Sequence, residues 1–177
     1  MIQPIPKPAP THNGTSGGSA LGEIFEDALP IFVHENVLEE ILDFSEQDMS
    51  REQGGFLVGG LHEDGRTYVE IRHFLPAADT RSRAASLTFT HETWSQLNKE
   101  VETRFSEEVV IGWHHTHPNF GIFLSAYDLF IHRNFFSQPW QIAMVVDPQR
   151  QEMGFFQWRQ GKVADCGFFC VWDEPVK

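Results

Sequence analysis

The segment WHHTHPNFGIFLSAYD, residues 113–128, decides the reading. Its start has the character of a strand, in which side chains two apart face the same side. His115 and His117 therefore converge, and His114 between them points the other way. Ser125 opens a helical stretch, and Asp128 lies one turn further along on the same face. Two neutral imidazoles and a carboxylate so placed can meet on one ion. That is the donor set of a catalytic zinc site, three protein ligands with a fourth position open. Ser125 and Asp128 also spell the capping box S-x-x-D. The structural and ligating roles coexist, because a helix start is rigid enough to aim a side chain.

Such a centre needs a group to accept the proton of the attacking water. Upstream, EQGGFLVGG (residues 52–60) places Glu52 just before a short apolar run set between glycines. The run predicts a buried strand over 54–61. Thr67–Phe74 is its hairpin partner, across the Asp-Gly turn chemistry of His62–Gly65. Glu52 is the candidate base. Further out, Ile31–Val33 reads as a short strand. Residues 35–49 carry the stripe Val37, Leu38, Ile41, Leu42 and Phe44 of an amphipathic helix. Residues 75–86 read as an exposed loop and Leu87–Thr90 as a strand. Thr90 is the cap of a helix over 91–104 that carries Trp94, Leu97 and Val101. Val109–His114 is a buried strand and 125–136 a third helix. Gln141–Asp147, Gly154–Trp158 and Cys166–Trp172 are further strands. This order predicts a mixed sheet flanked by helices, without the regular βα repeat of a parallel fold. Trp113 reads as core, as does the aromatic stripe Phe120, Phe123, Phe130, Phe135 and Phe136, although Phe120 and Phe123 also lie in the loop over the proposed site. His114 reads as packing or as support for the ligands from behind, not as a ligand itself, and His91 and His132 have no comparable context.

A Glu, a glycine-rich apolar strand, H-x-H-P, and then S-x-x-D is the signature of the JAMM (MPN-plus) metalloproteases. It stands here as Glu52, His115-Thr-His117, Pro118 to Leu124, Ser125 and Asp128. EQGGFLVGG and VVDP at 145–148 add to the resemblance, which covers about residues 31–160. Thr116 stands where similar sequences often have Ser, a departure that touches no proposed ligand.

The resemblance implies an MPN/JAB fold, α+β and α/β/α-like, with a mixed curved sheet flanked by helices in a cytidine-deaminase-like arrangement. It implies one zinc per chain on His115, His117 and Asp128, with Glu52 and Ser125 as catalytic residues. Similar enzymes cut the amide that joins the C-terminal tail of ubiquitin or a ubiquitin-like protein to an amine. The expected partners are therefore a ubiquitin-like modifier and its conjugates. The small single-domain form resembles bacterial and archaeal members, some of which are encoded beside ubiquitin-like proteins and their activating and conjugating enzymes, in antiviral defence among other settings. The resemblance also leaves room for processing of a sulfur-carrier ubiquitin-like protein, or for a non-catalytic MPN scaffold. The loop at 75–86 corresponds in position to an insertion that meets the modifier in similar enzymes.

Composition narrows the field. A chain of 177 residues is expected to be one domain, and 41% hydrophobic residues suffice for a sizeable core. Residues 1–22, rich in Pro, Gly, Ser and Thr, read as a flexible tail before a domain over 23–177. A net charge of −12 argues against a nucleic-acid partner, including the role of the RadC-like proteins that share part of the motif. Nucleobase deamination would need H-x-E and P-C-x-x-C, and neither occurs. Cys166 and Cys170 make no disulfide framework and are expected as reduced thiols. The start of the chain lacks the apolar region of a signal peptide, and no run is long enough to span a membrane, so a cytoplasmic location is expected.

Overall fold

The computed structural model describes residues 2–10, 16–77, 80–83 and 86–173. The helices are α1 (Glu35–Glu46), α2 (His91–Arg104) and α3 (Ala126–Phe135). The strands are β1 (Ile5–Pro6), β2 (Ser16–Leu21), β3 (Ile31–His34), β4 (Gly54–Glu63), β5 (Thr67–Pro76), β6 (Thr80–Arg83), β7 (Ser86–Phe89), β8 (Val109–Thr116), β9 (Ile142–Asp147), β10 (Glu152–Arg159), β11 (Lys162–Cys166) and β12 (Phe168–Asp173). Among the described residues, ten strands form one sheet in the order β11-β10-β9-β8-β4-β5-β3-β12-β2, with β1 beside the end of β4. β8 runs parallel to β9, and β3 runs parallel to both β5 and β12; the hairpins are antiparallel. This is the expected mixed sheet with helices against it.

Alternation along the central strands sorts the core into two layers. Leu57, Met144 and Val146 face the layer that holds Val37, Leu38 and Ile41 of α1. Phe56, Val58, Ala143 and Val145 face the layer that holds Leu97 of α2 and Ile131 of α3. Each large aliphatic side chain so buried contributes about 1.5–3 kcal/mol. Gly59 and Gly112 let the strands close up: a Cβ on Gly59 would run into the Glu70 carbonyl, and one on Gly112 into the Ile142 carbonyl.

A bulge sets the phase of β8. Leu57 pairs with Gly112 and Val58 with Val110, so Ile111 is skipped. An extra residue in one strand turns the following side chains over. Ile111 consequently belongs to the α1 layer, while Trp113 lies on the side of α3. His114 falls back on the α1 side, between Phe44 and Phe74, with Nε2 3.0 Å from Ser45 Oγ.

The structure differs from the sequence reading in four places. Residues 16–21 pair with β12 in antiparallel register, and Ile5–Pro6 pair with His62–Glu63, although 1–22 were expected to be a flexible tail. The Tyr68 hydroxyl donates to the Lys7 and Pro8 carbonyls, and Ala9 is buried over Phe32 and Tyr68. Part of the expected loop over 75–86 is strand: β5 continues to Pro76, and β6 pairs with β7 as a separate ribbon. Cys166 ends β11 and Gly167 separates it from β12, where one strand was expected. Of the aromatic stripe, only Phe136 is core; Phe120, Phe123, Phe130 and Phe135 are exposed. Both cysteines are free thiols. Among the described residues, no helix is long and apolar enough to cross a membrane.

Candidate metal centre

β8 delivers His115 at its end, and the extended backbone beyond it delivers His117, whose N–H donates to the Val146 carbonyl of β9 at 2.9 Å. α3 delivers Asp128. Ser125 caps this helix: its Oγ accepts the Asp128 N–H at 3.1 Å, and Asp128 Oδ2 accepts the Ser125 N–H at 2.9 Å. The reciprocal cap locks the carboxylate rotamer. Asp128 Oδ2 then lies 3.2 Å from His115 Nε2 and 3.1 Å from His117 Nε2, and the two Nε2 atoms are 3.0 Å apart. Glu52 Oε1 is 3.4 Å from His117 Nε2. All four side chains are buried, Glu52 at 3% exposure.

Three donor atoms in a near-equilateral triangle suit one ion. Ligands about 2.0–2.1 Å from a tetrahedral zinc lie about 3.3 Å from each other. The observed edges come within a few tenths of an ångström of that value. Glu52 Oε2 is buried without a hydrogen-bond partner among the described residues, which leaves a carboxylate oxygen able to hold a proton beside the triangle. The residues present therefore fit a metal.

The electrostatics follow from burial and crowding. Burial pushes the Glu52 carboxyl up to about 7; His117 opposes this shift and Asp128 adds to it. Burial also acts to raise Asp128, but hydrogen bonds from His115 and His117 outweigh it and hold this carboxyl well below the usual range. His115 is lowered by burial, with Asp128 acting against. At His117 burial acts the same way, and the Asp128 hydrogen bond and charge overcome it, so the net direction is up. The cluster thus holds a firm carboxylate, a neutral imidazole and a carboxyl that can exchange a proton near neutrality.

Further contacts hold this frame. Thr116 and Gln53 tie the segment after Glu52 to the end of β8. The fully buried Asp147 accepts the N–H groups of Asn119 (2.9 Å), Gly121 (2.8 Å), Gln149 (3.1 Å) and Arg150 (3.0 Å). It thereby fixes the loop after His117, whose Nδ1 lies 3.3 Å from the Gly121 carbonyl. The Phe123 ring packs 4.7 Å from the His117 ring and is exposed on its outer side. Sequence reasoning brought Glu52, His115, His117, Ser125 and Asp128 together, and the structure places them so. It missed Asp147, Gln53 and the hydroxyl of Thr116. It also read Trp113 as core alone, although its spacing of two from His115 on a strand signals a shared face.

A mixed sheet between helices, with H-x-H on a strand end and an aspartate on a capped helix, defines a JAB/MPN domain. Residues 27–138 match the family model described as JAB1/Mov34/MPN/PAD-1 ubiquitin protease, and the chain belongs to this family. It is 30% identical over 126 residues to COP9 signalosome complex subunit 5 of Caenorhabditis elegans, covering 70% of this chain and 32% of that protein. It is 27% identical over 146 residues to 26S proteasome non-ATPase regulatory subunit 14 of Dictyostelium discoideum, covering 78% and 47%. The chain therefore spans about a third to a half of the length of these relatives. The solution structure of a protein from Desulfitobacterium hafniense superposes with a TM-score of 0.56 at 22% identity, over 76% of this chain and 88% of that one, and shares the fold.

Proposed function

We propose that this chain is a zinc-dependent isopeptidase that removes or matures ubiquitin or a ubiquitin-like modifier at its C-terminal tail. One observation carries the reading: the triangle of His115 Nε2, His117 Nε2 and Asp128 Oδ2, with edges of 3.0–3.2 Å and the Glu52 carboxylate beside it. A scaffold that had lost its chemistry would not need this set complete and buried.

His115, His117 and Asp128 would hold the zinc. When bound, the ion supplies Lewis acidity, which makes water acidic near neutral pH and polarises a carbonyl. Glu52 takes the proton of the attacking water, for which a carboxyl poised near neutrality is suited, and returns it to the leaving amine. The Ser125 Oγ accepts the Asp128 N–H, and that bond leaves its hydroxyl proton available to the oxygen of the attacked carbonyl. The names of the relatives, a signalosome and a proteasome subunit, together with the family description, support a ubiquitin-type substrate. The modifier and its conjugates would be the partners, in a small bacterial conjugation system of the antiviral kind.

The test is cleavage of a ubiquitin-like protein fused through its C-terminus to a reporter. The panel includes ubiquitin and the ubiquitin-like proteins encoded near this gene. Cleavage by the wild type, lost in Glu52→Ala and after chelation, is the expected result. A zinc-loaded wild type that cleaves no member of a broad panel would overturn the substrate class.

A further inference from the structure

The two imidazoles of the centre are oriented by different means. His117 has the Gly121 carbonyl at its Nδ1, and Gly121 hangs from Asp147. His115 Nδ1 is buried and has no hydrogen-bond partner among the described residues. Histidine ligands almost always fix their ring by giving the second N–H to an acceptor. The plane of His115 must therefore be held in another way.

Trp113 supplies it. The indole lies parallel to the His115 ring, with centroids 4.5 Å apart and planes 13° apart, in the offset stacking that aromatic pairs favour. The two residues alternate on β8, so both project toward α3. The indole is held in turn. It is fully buried, it lies parallel to Phe136 at 5.8 Å, and its Nε1–H donates to His132 Nδ1 at 3.0 Å. To accept that bond, His132 must be neutral with its proton on Nε2. Burial keeps it neutral by pushing its pKa down to about 4. His132 packs between Phe136 and Trp158, and the Trp158 indole N–H donates to the Phe136 carbonyl. A chain of contacts thus runs from the last turns of α3 through the indole to the face of His115.

We propose that Trp113, anchored by His132, is the positioning residue of His115, holding its imidazole in the plane that aims Nε2 at Asp128 and His117. The inference rests on the reading of His115 as a zinc ligand. It assigns work to two residues that would otherwise count as core.

The test measures zinc affinity by chelator competition and the visible spectrum of the cobalt-substituted protein, beside a thermal melt. Trp113→Leu is expected to weaken zinc binding by about 10–100-fold, the range for residues that support ligands. Trp113→Phe keeps a ring over His115 and recovers part of that loss. His132→Leu weakens zinc binding in the wild-type background and adds nothing to Trp113→Phe, because it acts through the indole N–H. The cobalt bands shift in each weakened variant, which general loss of stability would not cause. If Trp113→Leu fails to fold, Trp113→Phe and His132→Leu decide the matter. Folded variants with wild-type affinity and an unchanged cobalt spectrum overturn the inference, and additive effects of the two substitutions overturn the role of His132. A wild type that takes up no zinc overturns the reading of the centre, and the inference with it.

Discussion

Thr116 and Gln53 hold each other by two hydrogen bonds: the Thr116 N–H donates to the Gln53 carbonyl at 2.8 Å, and the Gln53 N–H donates to the Thr116 hydroxyl at 2.8 Å. Each is the chain neighbour of a site residue, Gln53 of Glu52, and Thr116 of both histidines. The pair thereby sets how far the Glu52 carboxylate stands from His117. A hydroxyl at position 116 is what this contact requires, and Ser or Thr can supply it.

Replacing Thr116 by Val leaves the buried Gln53 N–H unpaired. We expect a loss of about 1–3 kcal/mol in stability and slower cleavage. Thr116→Ser should stay within about 1 kcal/mol of wild type and keep its rate. Denaturant melts and initial rates on one reporter substrate check both; equal behaviour of the two variants would remove this contact from the frame of the site.

Glu52→Gln keeps the shape of the side chain and removes its basicity. Cleavage should fall by at least about 100-fold, the usual worth of a positioned base, with zinc content unchanged. Metal analysis beside single-turnover rates separates the two quantities. Cleavage near the wild-type rate would show that another group moves the proton.

Zinc should raise the melting temperature of metal-free protein. At a free concentration a thousand times the dissociation constant, binding to the native state alone adds about 4 kcal/mol. In a domain of this size that corresponds to roughly 8–16 °C. His117→Ala and Asp128→Asn should abolish the shift, and its persistence in either would relocate the ion.

Glu70 gives a pH dependence that lies apart from the site. It is buried and paired with Lys7 (2.8 Å), His34 (2.7 Å) and Arg72 (2.8 Å). Burial acts to raise its pKa, but the hydrogen bonds of His34 and Lys7 and the charge of Arg72 outweigh it and bring the carboxyl down to about 2 from an ordinary 4.5. A lowered carboxylate stabilises the fold above its unfolded pKa and loses that contribution as the pH falls through the folded one. Glu70→Gln should therefore cost on the order of 3 kcal/mol at pH 6, and its gap from wild type should narrow as the pH falls from about 4.5 toward 2. Urea titrations at a series of pH values measure this; a gap that stays constant would mean that Glu70 acts through shape.

The centre was legible in the sequence because its parts are local. Strand alternation pairs His115 with His117, and one helical turn pairs Ser125 with Asp128. Glu52 comes from a distant strand end; the need for a base and its place before the glycine-flanked run pointed to it, and the family signature agreed. What stayed hidden depends on pairing across the fold. Ser16–Leu21 is polar and glycine-rich, and its strand exists because β12 offers it a ladder of backbone partners. The bulge at Ile111 is visible only in the register of β4 against β8. Asp147 looks like an ordinary turn residue until the loop after His117 folds back onto it. The exposed Phe120 and Phe130 show the opposite limit, since an apolar residue in the sequence need not find a core.

The pairing of β2 with β12 also bears on what the sheet offers to a neighbouring chain. β12 contains the run FFCVW, and β2 pairs along it in antiparallel register from Phe168 to Asp173. Stripped of that neighbour, β12 would be a bare apolar edge of the kind that recruits a second chain. Trimming the first 22 residues would then uncover that edge and favour association between copies of the shortened chain.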